Sequence, residues 1–182
     1  MTTFKALGKN CNWVLLLTFF TFGGNAALAA GPKGPNLVDV AVAVNSEGPY
    51  AGEFDTLIAA VLAADPAVVQ TLTGNGQHTV FAPTDSAFLM LGITAENLDD
   101  LLADGVLTVE GLTEILLYHV AHGRRLSGSV LESMQIRMLN RGFVQQAGGV
   151  LTDNQGGMSA IIVPDVPAAN GVIHAINAVL LP

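Results

Sequence analysis

The fold is decided by residues 79–88, which read TVFAPTDSAF. The β-branched and aromatic run TVFA predicts a short strand, and Pro83 ends that strand because proline cannot donate to a sheet ladder. Thr84 follows at a position where a hydroxyl can begin a helix. Phe81 and Phe88 place aromatic surface on both sides of the joint. The stretch therefore predicts a strand that leads directly into a helix.

Two polar side chains are predicted to stabilise the start of this helix. Thr84 Oγ1 can accept a hydrogen bond from the backbone N–H of Ser86 or Ala87. Asp85 adds negative charge at the positive end of the helix dipole. A loop that cradles phosphate would need more glycine, so we interpret the joint as a structural element.

Helical patterns lie on both sides of the joint. Leu37, Val40, Ala41 and Val44 recur at the spacing of one helix face, and a second stripe begins at Phe54. Four residues are candidate N-caps of further helices: Asp65, Thr84, Thr94 and Thr108. These patterns predict a first half made mainly of short helices.

Strand patterns replace the helical ones after Gly123. Glycine becomes frequent, and Gly148-Gly149 and Gly156-Gly157 are candidate hairpin turns. Residues 160–163 and 172–176 are predicted to be strands. Helices followed by strands indicate an α+β fold.

A second block, residues 117–120, reads LYHV. His119 lies on the apolar face of the helix predicted after Thr108, and Tyr118 can bury its ring while its hydroxyl finds a partner. We interpret His119 as a buried histidine held by hydrogen bonds that link helix to sheet. The alternative is a catalytic or metal-binding pair.

A third block, residues 170–182, reads NGVIHAINAVLLP. Asn170-Gly171 is a turn pair that allows a strand to begin. His174 alternates with branched apolar residues along that strand. A histidine at such a position is more often a hydrogen-bonded residue of the core than a metal ligand.

Taken in their order and spacing, the three blocks resemble the fasciclin-like domain family, and the resemblance covers residues 36–182. The residues that carry it are Thr79, Phe81, Pro83, Thr84, Phe88, Tyr118, His119, Asn170, Gly171, His174 and Pro182. It implies a fasciclin-like β-sandwich or wedge flanked by several short helices. It also implies an extracellular role in cell adhesion, matrix contact or protein binding, and the chain looks like the single-domain secreted form found in bacteria.

Two features depart from the family pattern. Asn177 stands in the closing block where the family usually carries an acid, and residues 46–52 form a longer loop than is typical. The first departure argues against any role that needs a carboxylate at this position. The Arg-Gly-Asp tripeptide is also absent from the sequence.

Residues 1–29 are predicted to be a secretory signal peptide. Lys5 and Lys9 precede an apolar stretch at 13–22, and Ala27-Leu28-Ala29 is a small-residue cleavage pattern. The alternative is an uncleaved N-terminal anchor. Residues 30–35 are then a linker to a single domain at 36–182, and the mature protein is predicted to be secreted, periplasmic or extracellular, and not an integral membrane protein.

Charge and cysteine content narrow the possible functions. The formal net charge is −8 and the four arginines after Lys33 are scattered, so nucleic acid is not an expected partner. The single cysteine, Cys11, lies in the predicted signal peptide. The mature chain would therefore have neither a disulfide nor a thiolate site.

The candidates for chemistry are few. His119 and His122 have a spacing that can place two ligands on one helix face, but Gly123 follows at once and no H-E-x-x-H pattern is present. The acidic residues Asp99, Asp100 and Asp104 do not have EF-hand spacing. A nucleophile elbow is also missing. We predict no catalytic residue, no metal, no cofactor and no enzymatic activity.

Three functional hypotheses follow. The first is a binding module whose partner is an extracellular protein or a cell-surface or matrix component. The second is a carrier of a small apolar ligand, a lipid or a pigment, because 51% of the residues are hydrophobic. The third, a hydrolase or other enzyme, lacks a supporting motif.

Overall fold

The computed structural model describes residues 34–182, so the predicted signal peptide and residues 30–33 of the predicted linker lie outside the described residues. Within 34–182 the helices are α1 Leu37–Ser46, α2 Asp55–Ala63, α3 Pro66–Thr73, α4 Asp85–Leu89, α5 Leu98–Ala103, α6 Val109–Tyr118 and α7 Ser127–Glu132. The strands are β1 His78–Pro83, β2 Val120–His122, β3 Gln135–Arg137, β4 Phe143–Ala147, β5 Val150–Thr152, β6 Met158–Ala168 and β7 Gly171–Ile176. The predicted α+β class is confirmed.

The strands form one sheet in the order β2-β1-β7-β6-β5-β4-β3. Every neighbouring pair is antiparallel except β1 and β7, which are parallel. The two edges approach each other, since Ala121 of β2 forms an isolated bridge to Met138 just after β3. The backbone N–H of Leu139 also donates to the carbonyl of Val120 at 2.7 Å. The sheet therefore curls into a wedge that is nearly a barrel.

Two apolar clusters fill the molecule. One lies between the helices and the sheet and contains buried residues of α1, α2, α3, α4, α5 and α6 together with Ala82, Ile173 and Ala175. The other lies inside the curled sheet and is lined by Phe81, Tyr118, Ile136, Val144, Leu151 and Ile176 among others. The helices thus cover one side of the wedge, and the sheet encloses its own core on the other.

Two of the predicted N-caps are confirmed. Asp65 accepts from the N–H of Ala67 at 2.8 Å and opens α3, with Pro66 at the first helical position. Thr108 accepts from the N–H of Gly111 at 3.0 Å and opens α6. The third, Thr94, lies one turn too early for α5.

The N-cap of α5 is Asn97, because a separate turn comes before the helix. Thr94 and Asn97 exchange hydrogen bonds across that turn. The N–H of Thr94 donates to Asn97 Oδ1 at 2.8 Å, and the N–H of Asn97 donates to Thr94 Oγ1 at 3.3 Å. The threonine pattern therefore located the turn, and the N-cap of α5 lies three residues later.

The predicted hydroxyl cap of α4 is wrong. Thr84 occupies the N-cap position, but its side chain makes no capping bond, and the N–H of Ala87 is bonded by the carbonyl of Thr84 at 2.9 Å. Asp85 lies in the first turn, yet its carboxylate reaches α2, where it accepts from the N–H groups of Asp55 at 3.3 Å and Thr56 at 2.9 Å. The N-cap residue of α2, Phe54, has no side-chain acceptor, so Asp85 supplies one.

Within residues 34–182, no single helix is long and apolar enough to cross a membrane. Helices α2 and α3 together pass the same test of length and composition, but they are bent by 116° relative to each other.

Candidate functional site

The side chains of the first block lie in the wedge and at its rim. Thr79 is fully buried; its Oγ1 donates to the carbonyl of Gly123 at 2.7 Å and accepts from the N–H of Arg125 at 2.8 Å. Phe88 is buried between α4 and the sheet, and Pro83 is the last residue of β1. Thr79 thus holds the loop that leads from β2 to α7.

The buried His174 stacks on Phe81, with ring centroids 5.6 Å apart and an interplanar angle of 30°. Its Nδ1 accepts from the N–H of Asp165 at 3.1 Å, so its Nε2 carries the proton and donates to the carbonyl of Arg125 at 2.8 Å. Both ring nitrogens are bonded to backbone. His174 therefore has no nitrogen left for a ligand or a substrate.

Ser127, Asp165 and His174 lie together but are not arranged as a nucleophilic triad. The hydroxyl and the N–H of Ser127 both donate to the carboxylate of Asp165, the latter at 2.7 Å. The Ser127 hydroxyl is the main cause of the lowered pKa of Asp165. A triad requires the serine to donate to the histidine, and here the histidine nitrogens are occupied. The geometry supports a structural network.

The second block is buried and fully bonded. Tyr118 OH donates to the carbonyl of Phe143 at 2.7 Å and accepts from the N–H of Asn154 at 3.2 Å, and burial raises its pKa. His119 is 2% exposed. Its Nδ1 donates to the carbonyl of Ile115 at 2.7 Å, and its Nε2 accepts from the N–H of Leu180 at 2.9 Å.

Burial lowers the pKa of His119 to about 4, the loss of hydration being the largest cause. The imidazole is neutral at neutral pH, and both of its nitrogens are engaged. The metal pair with His122 that the spacing allowed is therefore not available, because His119 has no free nitrogen. Helix α6 is tied by this side chain to the C-terminal segment of the chain, whereas the sheet was the partner expected from the sequence.

The third block joins distant elements at the start of β7. Asn170 is fully buried; its Oδ1 accepts from the N–H of Leu37 at 2.8 Å, and its Nδ2 donates to the carbonyls of Leu72 at 2.6 Å and Gly74 at 2.9 Å. It thus connects the start of α1, the end of α3 and β7. A Cβ on Gly171 would overlap the carbonyl oxygen of His78, so the glycine permits β1 and β7 to pair.

The end of the chain is held by polar contacts. The carbonyl of Pro182 accepts from Gln155 Nε2 at 3.1 Å. Asn177, the residue that departs from the family pattern, accepts from the N–H of Ala160 through its Oδ1 at 2.8 Å. Its amide thus satisfies a backbone group between β7 and β6, which a carboxylate oxygen could do equally well.

An apolar cavity of about 140 Å³ lies between helices α1, α2, α3 and α6 and the sheet. Its walls are Leu37, Val38, Ala41, Val42, Leu57, Ile58, Val61, Leu62, Val68, Leu72, Val80, Phe81, Ala82, Leu116, His119, Val120 and Ile173. The only ionisable side chain among them is His119, which is neutral and fully bonded. Leu62 is 71% exposed and Val42 is 43% exposed, so apolar surface extends beyond the cavity.

A second feature is the outer sheet face, formed by the outward-pointing residues of β3, β4, β5 and β6. Cross-strand register places nine of these residues side by side: Gln135, Arg137, Phe143, Gln145, Ala147, Val150, Thr152, Met158 and Ala160. Ile162 follows two residues after Ala160 on β6 and is also exposed. Met158 is 71% exposed, and Phe143 and Ile162 are exposed by more than 40%. Arg137 is the only charged residue in this set.

Sequence reasoning did not find either feature. Alternation along residues 143–147 and 158–162 signals a strand with one exposed face, but it does not tell which strands lie beside each other. The cavity is lined from seven elements, and no local pattern marks it.

The comparisons place this architecture in a known family. The family model of the Fasciclin domain matches residues 52–182. The chain is 38% identical over 136 residues to Protein sll1483 of Synechocystis, covering 71% of this chain and 67% of that protein. It is 34% identical over 168 residues to the immunogenic protein MPB70 of Mycobacterium bovis, covering 85% of this chain and 77% of that one. This chain therefore belongs to the fasciclin domain family.

A solved structure supports the fold. The FAS1 domain pair from the insect cell adhesion molecule Fasciclin I matches with a TM-score of 0.50 and 22% sequence identity. The match covers 66% of this chain and 42% of that one. The wedge flanked by short helices, which the resemblance implied, is confirmed.

Proposed function

We propose that this protein is a secreted, non-enzymatic binding module that uses its outer sheet face to contact an extracellular protein, either a cell-surface or a matrix component. The observation that carries the proposal is the composition of that face. Protein interfaces are enriched in aromatic residues, methionine and arginine and are depleted of Lys, Glu and Asp. The outer sheet face has Phe143, Met158 and Arg137 and no acidic residue, in a chain whose formal net charge is −8.

Two further considerations support this function. The solved structure that matches the fold comes from a cell adhesion molecule. The histidines of the three blocks, His119 and His174, have their ring nitrogens bonded, and this argues against a catalytic role for either. On this proposal the residues of the three blocks hold the fold, and binding is left to the exposed face.

Secretion is part of the same proposal. Residues 1–29 direct export and are removed, and residues 36–182 form the functional domain after a short linker. The intact mass of protein recovered from the periplasm or medium of its host should correspond to a chain that begins near Ala30. A recovered protein that retains residues 1–29 would contradict cleavage.

The outer sheet face can be tested by placing a charge on it. Phe143→Glu and Met158→Glu each add an unpaired carboxylate to the proposed contact, and we expect at least about a tenfold loss of binding to host cells and their extracellular proteins, as for a central interface residue. Met90→Glu is the matched control. Met90 is 69% exposed, directly follows α4 and lies outside the outer sheet face. Equal binding by wild type and both face variants would refute the proposal.

The apolar cavity supports a second candidate function, that of a carrier of a small apolar ligand. An apolar cavity of about 150 Å³ is known to stay dry and to bind benzene, and the cavity described here has about 140 Å³. It therefore fits a ring or the end of an acyl chain, with no polar group in the walls that would bind a charged head.

Native mass spectrometry of protein from its own host tests this second candidate. A carrier would show a reproducible non-peptide adduct, and Ala41→Phe, which fills the cavity from α1, would lose it. A bare mass for the wild type would exclude a resident ligand. The two functions are separable, because Ala41→Phe leaves the outer sheet face unchanged.

A further inference from the structure

Two histidines face each other across the first and second strands. His78 of β1 pairs in register with His122 of β2. The next pair along the two strands, Gln77 and Gly123, is hydrogen-bonded, since the N–H of Gly123 donates to the carbonyl of Gln77 at 2.8 Å. The N–H of His78 points the other way and donates to the carbonyl of Asn170 at 3.1 Å. His78 and His122 therefore form a non-hydrogen-bonded antiparallel pair, the kind in which side chains lie closest.

One ring nitrogen of this pair lacks a partner. His78 is 7% exposed, and its Nδ1 is buried with no hydrogen bond from any residue in 34–182. The other buried histidines, His119 and His174, each use both ring nitrogens. A buried polar atom without a partner in a native structure requires an explanation, and a bound water or ion is one of them.

The ring geometry suits a shared ion. The two ring centroids are 5.8 Å apart and the rings are inclined by 40°. With zinc–nitrogen bonds of about 2.0–2.1 Å, two imidazoles on one ion have centroids roughly 5–6 Å apart. Residue 76 lies close against the other ring nitrogen, because a Cβ there would be 2.7 Å from His78 Nε2. Nδ1 is therefore the nitrogen left for an ion.

The pair can be reached from one side. His122 is exposed and leaves an approach from solvent.

We propose that His78 and His122 bind one divalent transition-metal ion of the Zn²⁺ or Cu²⁺ type between β1 and β2. Imidazole is a preferred ligand for both ions. Within the described part of the chain no third His, Cys, Asp or Glu joins the pair. Water or a group of a bound partner completes the coordination from the side of the exposed His122. The outer sheet face and the cavity do not include either histidine, so the site is independent of both proposed functions.

The test is a calorimetric titration of the metal-stripped protein with Zn²⁺ and, separately, with Cu²⁺ at pH 7.5. We expect one saturable site, and His122→Gln should weaken affinity at least about tenfold, which is about 1.4 kcal/mol. His122 is exposed, so this variant keeps the fold even if His78→Gln does not. Arg124→Gln, a change of an exposed neighbour, is the control and should bind like the wild type.

Cobalt gives an independent readout. Co²⁺ bound by two imidazoles should show visible absorption bands that disappear in His122→Gln. Failure of the wild type to bind saturably would overturn the proposal. So would binding that is unchanged in the double variant His78→Gln, His122→Gln, because the ion would then lie elsewhere on the chain.

Discussion

At the scale of single residues, His119 makes stability depend on pH. The imidazole is held neutral by burial, with a folded pKa of about 4 against an ordinary value of 6.5. Because the unfolded chain binds this proton below about pH 6.5 and the folded chain only below about pH 4, stability rises with pH across this window. The contribution of neutral His119 to the free energy of unfolding is fully present above pH 6.5. It is lost as the pH falls towards 4, by about 3 kcal/mol in all.

We therefore predict that His119→Gln is less stable than the wild type by about 1–3 kcal/mol at pH 7.5, because the Ile115 and Leu180 backbone groups lose a partner. The difference in unfolding free energy between the two proteins should shrink as the pH falls to 4.5, because protonation of His119 on unfolding destabilises only the wild type. Urea unfolding at both pH values measures it. A gap that is the same at pH 7.5 and 4.5 would contradict the pKa of His119.

Asp85 gives the second residue-scale prediction. Asp85→Ala removes the acceptor for two N–H groups at the start of α2, and we expect a loss of about 1–2 kcal/mol of unfolding free energy. Asp85→Asn keeps one acceptor oxygen and should lose less. Urea unfolding of the three proteins measures the order. If the alanine variant unfolds like the wild type, the capping role is refuted.

These residues also mark where sequence reasoning succeeds and fails. The burial of His119 was predictable, because it follows from local spacing on the apolar face of a predicted helix. The burial of the Tyr118 ring, with a partner for its hydroxyl, was predictable from the side chain itself. The role of Asp85 was not, because its partners belong to α2, which lies thirty residues earlier in the chain. A local rule assigns a carboxylate to its own helix, whereas tertiary packing here gives it to another.

At the scale of elements, the parallel pairing of β1 with β7 organises the sheet. The register runs from His78 opposite Gly171 to Pro83 opposite Ile176. Asn170, one residue before β7, is bonded to both α1 and the end of α3. This junction brings the two ends of the domain together.

Gly171→Ala should disrupt this junction. The added Cβ would overlap the His78 carbonyl and force β1 and β7 apart, so we expect a loss of about 1–3 kcal/mol or more, as for overpacking of a core. Gly128→Ala is the matched control, since a Cβ there meets nothing within 4 Å and the residue lies in α7. The control should be unchanged or up to about 1 kcal/mol more stable. Thermal melting of both variants measures the difference. Equal melting temperatures for the two variants would contradict the overlap at residue 171.

The elements themselves were largely predictable, because their periodicity and turns are local. The hairpin turns at Gly148-Gly149 and Gly156-Gly157 separate β4, β5 and β6 as expected. The strand order was not derivable from the residues, since it pairs β1 with β7 across about half of the chain. The resemblance of three separated blocks to a known family supplied that part of the fold.

At the scale of the whole molecule, the family-motif side chains of Thr79, Tyr118, His119, Asn170 and His174 are hydrogen-bonded inside the described part of the chain. The outer sheet face, in contrast, is exposed and carries one charged residue, Arg137. The outer sheet face exists only because four strands align, and the cavity only because helices from the first half lie on strands from the second. Both are properties of the assembled fold. This is why the three sequence blocks that reveal the family say little about what the protein binds.

The most direct test of the proposed function is site-specific photo-crosslinking in the host, with the photoreactive side chain placed at Phe143 in one protein and at Leu89 in another. Both positions are exposed, and only Phe143 lies on the outer sheet face. We predict a crosslinked extracellular protein from position 143 and none from position 89. Crosslinks from position 89 alone, or from neither position, would contradict a binding module that acts through the outer sheet face.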